Sequence, residues 1–237
     1  MKEKLELDKI VDKLYEDLVP SGWARVLRTF IYSSDFKNII QSLANESLLD
    51  RRFTPPLRDI FRAFKECPYD DLKVVIVGQD PYPTINVADG IAFSCSKTMR
   101  LQPSLKFILD EVNRTVYNGD CVSNNPDLTR WSRQGVLMLN TALTTEIGKI
   151  GKHYDIWKPM LNYLFDYLSN YNNGLVYIYM GKEARTWADS VNDNCFKLFC
   201  SHPASAVYNK FRRWDSQNVF DTAQKVVEEN YKYLILW

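Results

Sequence analysis

The sequence carries almost no surplus charge: 30 Lys and Arg stand against 29 Asp and Glu, a formal net of +1. The strongly basic balance of many nucleic-acid-binding chains is therefore missing, and any grip on phosphates has to come from a local patch. No apolar run reaches the roughly 20 residues of a membrane span, and the opening MKEKLELDKIVDKLYEDL is too charged for a signal peptide. Both absences predict an intracellular protein with no membrane partner. Histidine is scarce, with two in 237 residues. The cysteines, Cys67, Cys95, Cys121, Cys195 and Cys200, are odd in number and scattered, which suits reduced thiols better than a disulfide framework. Cys195 and Cys200 lack the spacing and neighbouring His of a zinc site. There is no Gly-rich phosphate loop and no Gly-x-Ser-x-Gly elbow, and Ser201 and His202 are adjacent in sequence. Nucleotide-loop chemistry and a serine-hydrolase triad thus find no support. No metal and no cofactor are expected.

What is present reads as an ordinary globular composition, 46% hydrophobic and 25% charged, in a chain long enough for a single core. Leu7, Ile10, Val11, Leu14 and Leu18 follow helical spacing, as do Phe36, Ile39, Ile40 and Leu43. Pro55-Pro56 predicts the first turn of a short helix through Ile60, Phe61 and Phe64. From residue 72 four short apolar runs appear: LKVVIV (72–77), VLMLN (136–140), LVYIYM (175–180) and FKLFCS (196–201). Helical patterns alternate with them at about Ser104–Tyr117, Asp155–Ser169, Glu183–Val191 and Asn218–Tyr231. Continuous apolar runs separated by helices predict a mostly parallel sheet covered on both faces. The expected fold is α/β: a central four-stranded sheet flanked by helices, with residues 1–65 as a helical portion of one domain spanning 1–237.

The four runs end in polar residues. Gly78-Gln79-Asp80 follows the first, Asn140 closes the second, Gly181-Lys182 follows the third, and His202-Pro203 follows the fourth. Ligands of open parallel sheets bind beyond the carboxyl ends of the strands, so Asp80, Asn140 and His202 are predicted to meet. A carboxylate, an amide and an imidazole suit acid/base or electrostatic chemistry. Each also has a plainer reading: Asp80 as an Asp-Pro turn, Asn140 as a cap, His202 as a structural histidine. Farther on, Lys210, Arg212 and Arg213 stand among Tyr208, Phe211 and Trp214. This basic-aromatic patch is either a solvated face or a seat for a phosphate backbone.

Several segments, in order and spacing, resemble the uracil-DNA glycosylases of the family-1 type, over about residues 53–220. GQDPYP (78–83) resembles that family's water-activating loop, GIAFS (90–94) its base-stacking segment, and LQPSL (101–105) its phosphate-clamping loop. WSRQGVLMLNTALT (131–144) is similar to its uracil-reading segment, and SHPAS (201–205) to its catalytic-histidine loop. The resemblance implies a metal-free monomer that flips uracil out of DNA and hydrolyses its N-glycosidic bond. It implies Asp80 and His202 as catalytic residues, and Gln79, Tyr82, Phe93 and Asn140 as uracil-binding. Pro103, Ser104, Lys182, Ser205, Ala206, Lys210, Arg212 and Arg213 are expected on the DNA. A DNA-mimicking protein inhibitor is a possible partner.

The chain also departs from that pattern. Pro83 and Thr84 replace the His and Gly expected after Tyr82, Asp89 replaces a His, and Lys182 replaces a Ser. Ala206 falls nearest the leucine that wedges into the duplex, which predicts a preference for uracil in single-stranded DNA. The alternative function is a glycosylase-like DNA-binding or processivity subunit with secondary or lost catalysis.

Overall fold

Every residue of Val74–Gly78 and of Val176–Met180 is buried. Successive side chains of a strand point to opposite faces, so both faces of the sheet are covered at these strands. A computed structural model describes residues 2–121, 124–208 and 213–237. In chain order the elements are α1 (Lys2–Glu16), α2 (Trp23–Ile31), α3 (Ser34–Leu48), β1 (Phe53–Thr54), α4 (Arg62–Glu66), β2 (Val74–Gly78), α5 (Pro103–Thr115) and α6 (Thr129–Ser132). Then come β3 (Val136–Asn140), β4 (Thr145–Glu146), α7 (Tyr154–Tyr171), β5 (Val176–Met180), α8 (Lys182–Arg185), β6 (Phe196–Cys200) and α9 (Val219–Tyr231). The main sheet has the order β3-β2-β5-β6 and all its pairs are parallel. Its outer strand β6 is half-exposed and carries Lys197, a charge suited to an open edge.

β2, the first strand of this sheet in sequence, lies between β3 and β5, so the strand order reverses around it. Gly78 is in register with Asn140 and Met180 with Cys200. The loops after all four strands therefore open on one edge, where a doubly wound sheet places its ligand. Helices α4 and α6 pack on β3, α9 packs on β5 and β6, and α2 and α3 pack on α7. Among the described residues no helix is long and apolar enough to cross a membrane.

Three local features differ from the sequence expectations. The helix expected after Pro55-Pro56 is split into a 3-10 turn, Leu57–Asp59, and α4. The chain here docks on Gly90: the Ala63 amide donates to the Gly90 carbonyl (3.2 Å), and a Cβ at Gly90 would lie 1.9 Å from the Asp59 carbonyl oxygen. The helix expected over Glu183–Val191 is α8 followed by a 3-10 turn, Ala188–Ser190. Thr186 Oγ1 donates to the Glu183 carbonyl (2.7 Å), a local bond that competes with helix continuation. Finally, β1 and β4 form a separate antiparallel pair, Phe53 opposite Glu146 and Thr54 opposite Thr145. This pair anchors the segment that runs from β4 to α7 past the end of β2.

Candidate active site

Gly78 ends β2 where two side chains crowd it. A Cβ there would lie 2.6 Å from Asn140 Oδ1 and 3.0 Å from a Phe93 ring carbon. Glycine is thus what lets the amide and the ring converge over the strand end. The cavity they share encloses about 170 Å³ and is also lined by Gln79, Asp80, Tyr82 and His202. Pockets for drug-sized ligands run about 300–1,000 Å³, so this volume suits one small heterocycle.

The loop after β2 is fastened on both sides. The Gln79 carbonyl accepts from the Thr141 amide (3.0 Å) and from Thr141 Oγ1 (2.6 Å), tying the loop to the end of β3. The Pro83 carbonyl accepts from the Gly148 amide (2.7 Å). Between these ties, Asp80 Oδ2 accepts from the Gly151 amide (2.6 Å). Burial pushes the Asp80 carboxyl above its ordinary value; the Gly151 amide and the Thr145 hydroxyl pull against this, and Glu183 adds to the rise. A half-buried carboxylate held by a backbone donor is a localised negative charge facing the cavity.

Phe93 sits at φ 63, a left-handed conformation that a bulky residue adopts only when its surroundings dictate it. The dictating contacts are visible. The Ala92 amide donates to the Met138 carbonyl (3.0 Å), and the Ser94 amide to the Ile91 carbonyl (3.1 Å). Beneath this turn Asp89 is buried and accepts from the Ile91 amide (3.0 Å), Ser94 Oγ (2.7 Å), and the Ser96 amide and hydroxyl (2.9 and 2.6 Å). Arg62 Nη1 pairs with it at 2.7 Å, while Arg62 Nη2 donates to Thr129 Oγ1 (2.7 Å). Asp89, which stands where the resemblance expects a histidine, thus braces the Phe93 turn against α4 and α6.

His202 approaches the site because Gly181 is small: a Cβ at Gly181 would lie 2.9 Å from that of His202. Its Nδ1 accepts from the Ala204 amide (3.2 Å), and burial lowers its pKa below the ordinary value. The ring is therefore neutral at pH 7 with its proton on Nε2, so it faces the cavity as a donor without a full charge. Phe93 and His202 have ring centroids 5.9 Å apart. Asn140 ends β3 half-buried, and its amide bonds to no other described residue. Tyr82 lines the cavity, its hydroxyl kept protonated by burial.

The expected DNA-contact residues divide. Ser104 lines the cavity at the start of α5, with Pro103 exposed beside it. Lys182 and Ser205 border a second cleft that shares His202 with the first and contains Arg185, a cation the sequence reading passes over. Arg213 is exposed, with its Nε 3.8 Å from Glu111 Oε1. Lys210 and Arg212 lie outside the described residues. Ala206 requires a correction. It is fully buried, part of the 3-10 turn Pro203–Tyr208, and has no surface to offer a duplex. Its neighbours Val207 and Tyr208 project instead, 50% and 90% exposed. The second histidine, His153, is buried and its Nδ1 takes a 2.9 Å bond with Thr144 Oγ1, which itself accepts from Trp157 Nε1 (2.7 Å). It is a core group held through Nδ1, and its buried Nε2 meets no partner among the described residues.

Comparison with known proteins adds to this geometry. The model of the uracil DNA glycosylase superfamily matches residues 64–227. A uracil-DNA glycosylase of Acinetobacter baumannii (strain SDF) is 33% identical over 201 residues, covering 84% of each chain. One from Borrelia hermsii is 32% identical over 222 residues, covering 90% of this chain and 96% of its own. Among solved structures, mimivirus uracil-DNA glycosylase superposes with a TM-score of 0.81 at 24% identity, over 92% of this chain and 86% of its own. A variant of mimivirus UNG in complex with UGI superposes with a TM-score of 0.80 at 22% identity, over 91% of this chain and 87% of its own.

Proposed function

We propose a division of labour in the pocket on one premise: the chain belongs to the uracil DNA glycosylase superfamily and is a hydrolase that removes uracil from DNA. The target bond is shielded inside a duplex, so the nucleotide must leave the stack to reach a cavity of this size. Phe93 stacks on the extruded base. Asn140, with one acceptor and one two-proton donor group, pairs with the N3–H and O4 edge of uracil. The Tyr82 ring fills the space a thymine methyl would need.

As the bond between C1′ and N1 breaks, its electron pair leaves with uracil and positive charge develops on the sugar. Neutral His202 donates from Nε2 to uracil O2, where negative charge grows. Ionised Asp80 faces the sugar cation and orients the water whose oxygen bonds to C1′. That water's proton passes to the carboxylate and on to solvent, and uracil takes up a proton after it leaves. Both interactions strengthen toward the transition state, the condition for acceleration.

The observation that carries this reading is that an imidazole whose Nδ1 already accepts from a backbone amide, and a carboxylate held by another backbone amide, line one small cavity. All five groups come from one chain, which supports a monomeric enzyme. Lys182, Arg185 and Ser205, in the cleft leading away from His202, supply phosphate contacts. Val207 and Tyr208 take the place of Ala206 as the wedge, and with them the basis for a strong single-strand preference disappears. The UGI complex of the mimivirus enzyme supports inhibition of this chain by the same protein. Release of free uracil from a uracil-containing oligonucleotide tests the reading. Tight binding without release would favour the alternative of a DNA-binding subunit.

A further inference from the structure

The segment between β4 and α7 contains no residue that the proposed mechanism uses, yet it reaches the cavity. Ile150 lines it, and the next residue, Gly151, gives its amide to Asp80 Oδ2 at 2.6 Å. The segment is closed on itself by Thr145 Oγ1 donating to the Lys149 carbonyl (2.5 Å). Gly151 has φ +73, and a Cβ there would lie 2.8 Å from Cε2 and 3.2 Å from Cζ of Tyr154. The Tyr154 ring, on the first turn of α7, therefore forms the wall against which Gly151 is seated.

We propose that the Gly151 amide, seated by the Tyr154 ring, is a positioning group that holds one oxygen of Asp80 and presents the other to the sugar and the attacking water. This rests on the reading of Asp80 given above. A carboxylate free to rotate about its Cβ–Cγ bond would offer its oxygens in many orientations, whereas a charge-assisted bond to Oδ2 fixes the plane. The same bond favours the ionised form that the chemistry needs, against the burial that opposes it. The other titratable groups beside Asp80 are Glu183 at the start of α8 and Tyr154 itself, with His202 lining the same cavity. The Tyr154 hydroxyl is buried beside Asp80 and Gln79, and it is ring carbons, not the hydroxyl, that meet Gly151, so the ring is the part that seats the glycine.

The test is the pH profile of uracil release from a single-stranded uracil oligonucleotide for wild type, Gly151→Ala, Tyr154→Leu, Tyr154→Phe and Asp80→Asn. Gly151→Ala places a methyl against the Tyr154 ring and moves the amide. It is expected to lower kcat about tenfold, the value of a lost bond to a charged group, with KM kept. The acid limb is expected to move to higher pH, because the ionised carboxylate has lost a donor. Tyr154→Leu, which withdraws the wall but keeps the glycine, is expected to shift the limb the same way by less, and remains informative if Gly151→Ala folds poorly. Tyr154→Phe keeps the ring and is expected to keep the wild-type profile. Acid limbs unmoved in both Gly151→Ala and Tyr154→Leu would overturn the proposal. An active Asp80→Asn would instead overturn the role of Asp80 itself, which separates the two failures.

Discussion

Tyr82 Oη donates to the backbone carbonyl of Phe93 at 3.0 Å. The ring at one edge of the pocket thus tethers the residue whose ring covers its face, and that residue sits at φ 63. Tyr82→Phe removes the tether and keeps the ring. A neutral hydrogen bond is worth about 1 kcal/mol net, so kcat/KM on uracil is expected to fall roughly fivefold. Steady-state kinetics on a single-stranded substrate checks this, and an unchanged value would show that the Phe93 turn holds without it.

Specificity follows from the same wall and from Asn140. Tyr82→Ala vacates the space of the thymine methyl and is expected to give weak release of thymine. Asn140→Asp replaces the amide donor by an acceptor, which suits the exocyclic amine of cytosine, and is expected to give weak release of cytosine while uracil release drops. Chromatography of the freed bases measures both gains. Variants that still release uracil yet never the added base would contradict the placement of these side chains.

Much of this site is legible in the sequence, for a physical reason. Strands of a parallel sheet appear as short, mostly apolar runs, so Asp80, Asn140 and His202 are marked by standing among the polar residues at the ends of three of them. Other parts are not legible. The two-residue strands β1 and β4 carry no periodicity, and the Gly151–Asp80 contact joins segments far apart in sequence. The burial of Ala206 depends on how a short 3-10 turn is rolled, which no pattern reports. The sequence reading also passes over α2, although Trp23, Val26, Leu27 and Phe30 are spaced as a helix and are buried.

Asp89 makes a stability prediction. Its buried carboxylate satisfies Arg62 and the turn that carries Phe93. Breaking a buried ion pair by removing one partner costs about 3–5 kcal/mol. Asp89→Ala is expected to lower Tm by roughly 6–20 °C, at about 2–4 °C per kcal/mol for a domain of this size. Thermal unfolding followed by circular dichroism checks it; a loss under 2 °C would contradict the bracing role.

The raised pKa of Asp80 has a thermodynamic sign. Because the folded-state value lies above the ordinary one of 3.8, the folded protein binds the proton more tightly than the unfolded chain. Stability is therefore lost as pH rises from the ordinary value through the raised one, and the penalty persists at neutral pH. Asp80→Asn is expected to raise Tm at pH 7, with the gain vanishing as pH falls below the ordinary aspartate value. Unfolding curves at both ends of that window decide it, and a Tm at pH 7 below that of wild type would contradict the burial argument.

Tyr208, 90% exposed beside the His202 turn, bears on duplex handling. Flipping a base from a duplex costs a few kcal/mol of unstacking that a single strand largely avoids. Tyr208→Ala is expected to reduce kcat/KM on U·A duplex about tenfold, with U·G less affected and single strand nearly unchanged. Equal losses on all three substrates would assign Tyr208 to general DNA binding.

The most direct measurement compares turnover and DNA binding of Asp80→Asn with wild type on one uracil-containing single strand. The substitution removes the charge that stabilises the sugar cation and, with it, a repulsion toward phosphates. Uracil release is expected to fall by about 10³-fold, while the dissociation constant for the uncleaved strand stays equal or becomes tighter. Equal loss of binding and turnover, or turnover at the wild-type rate, would contradict the assignment of Asp80 as the charge that drives the reaction.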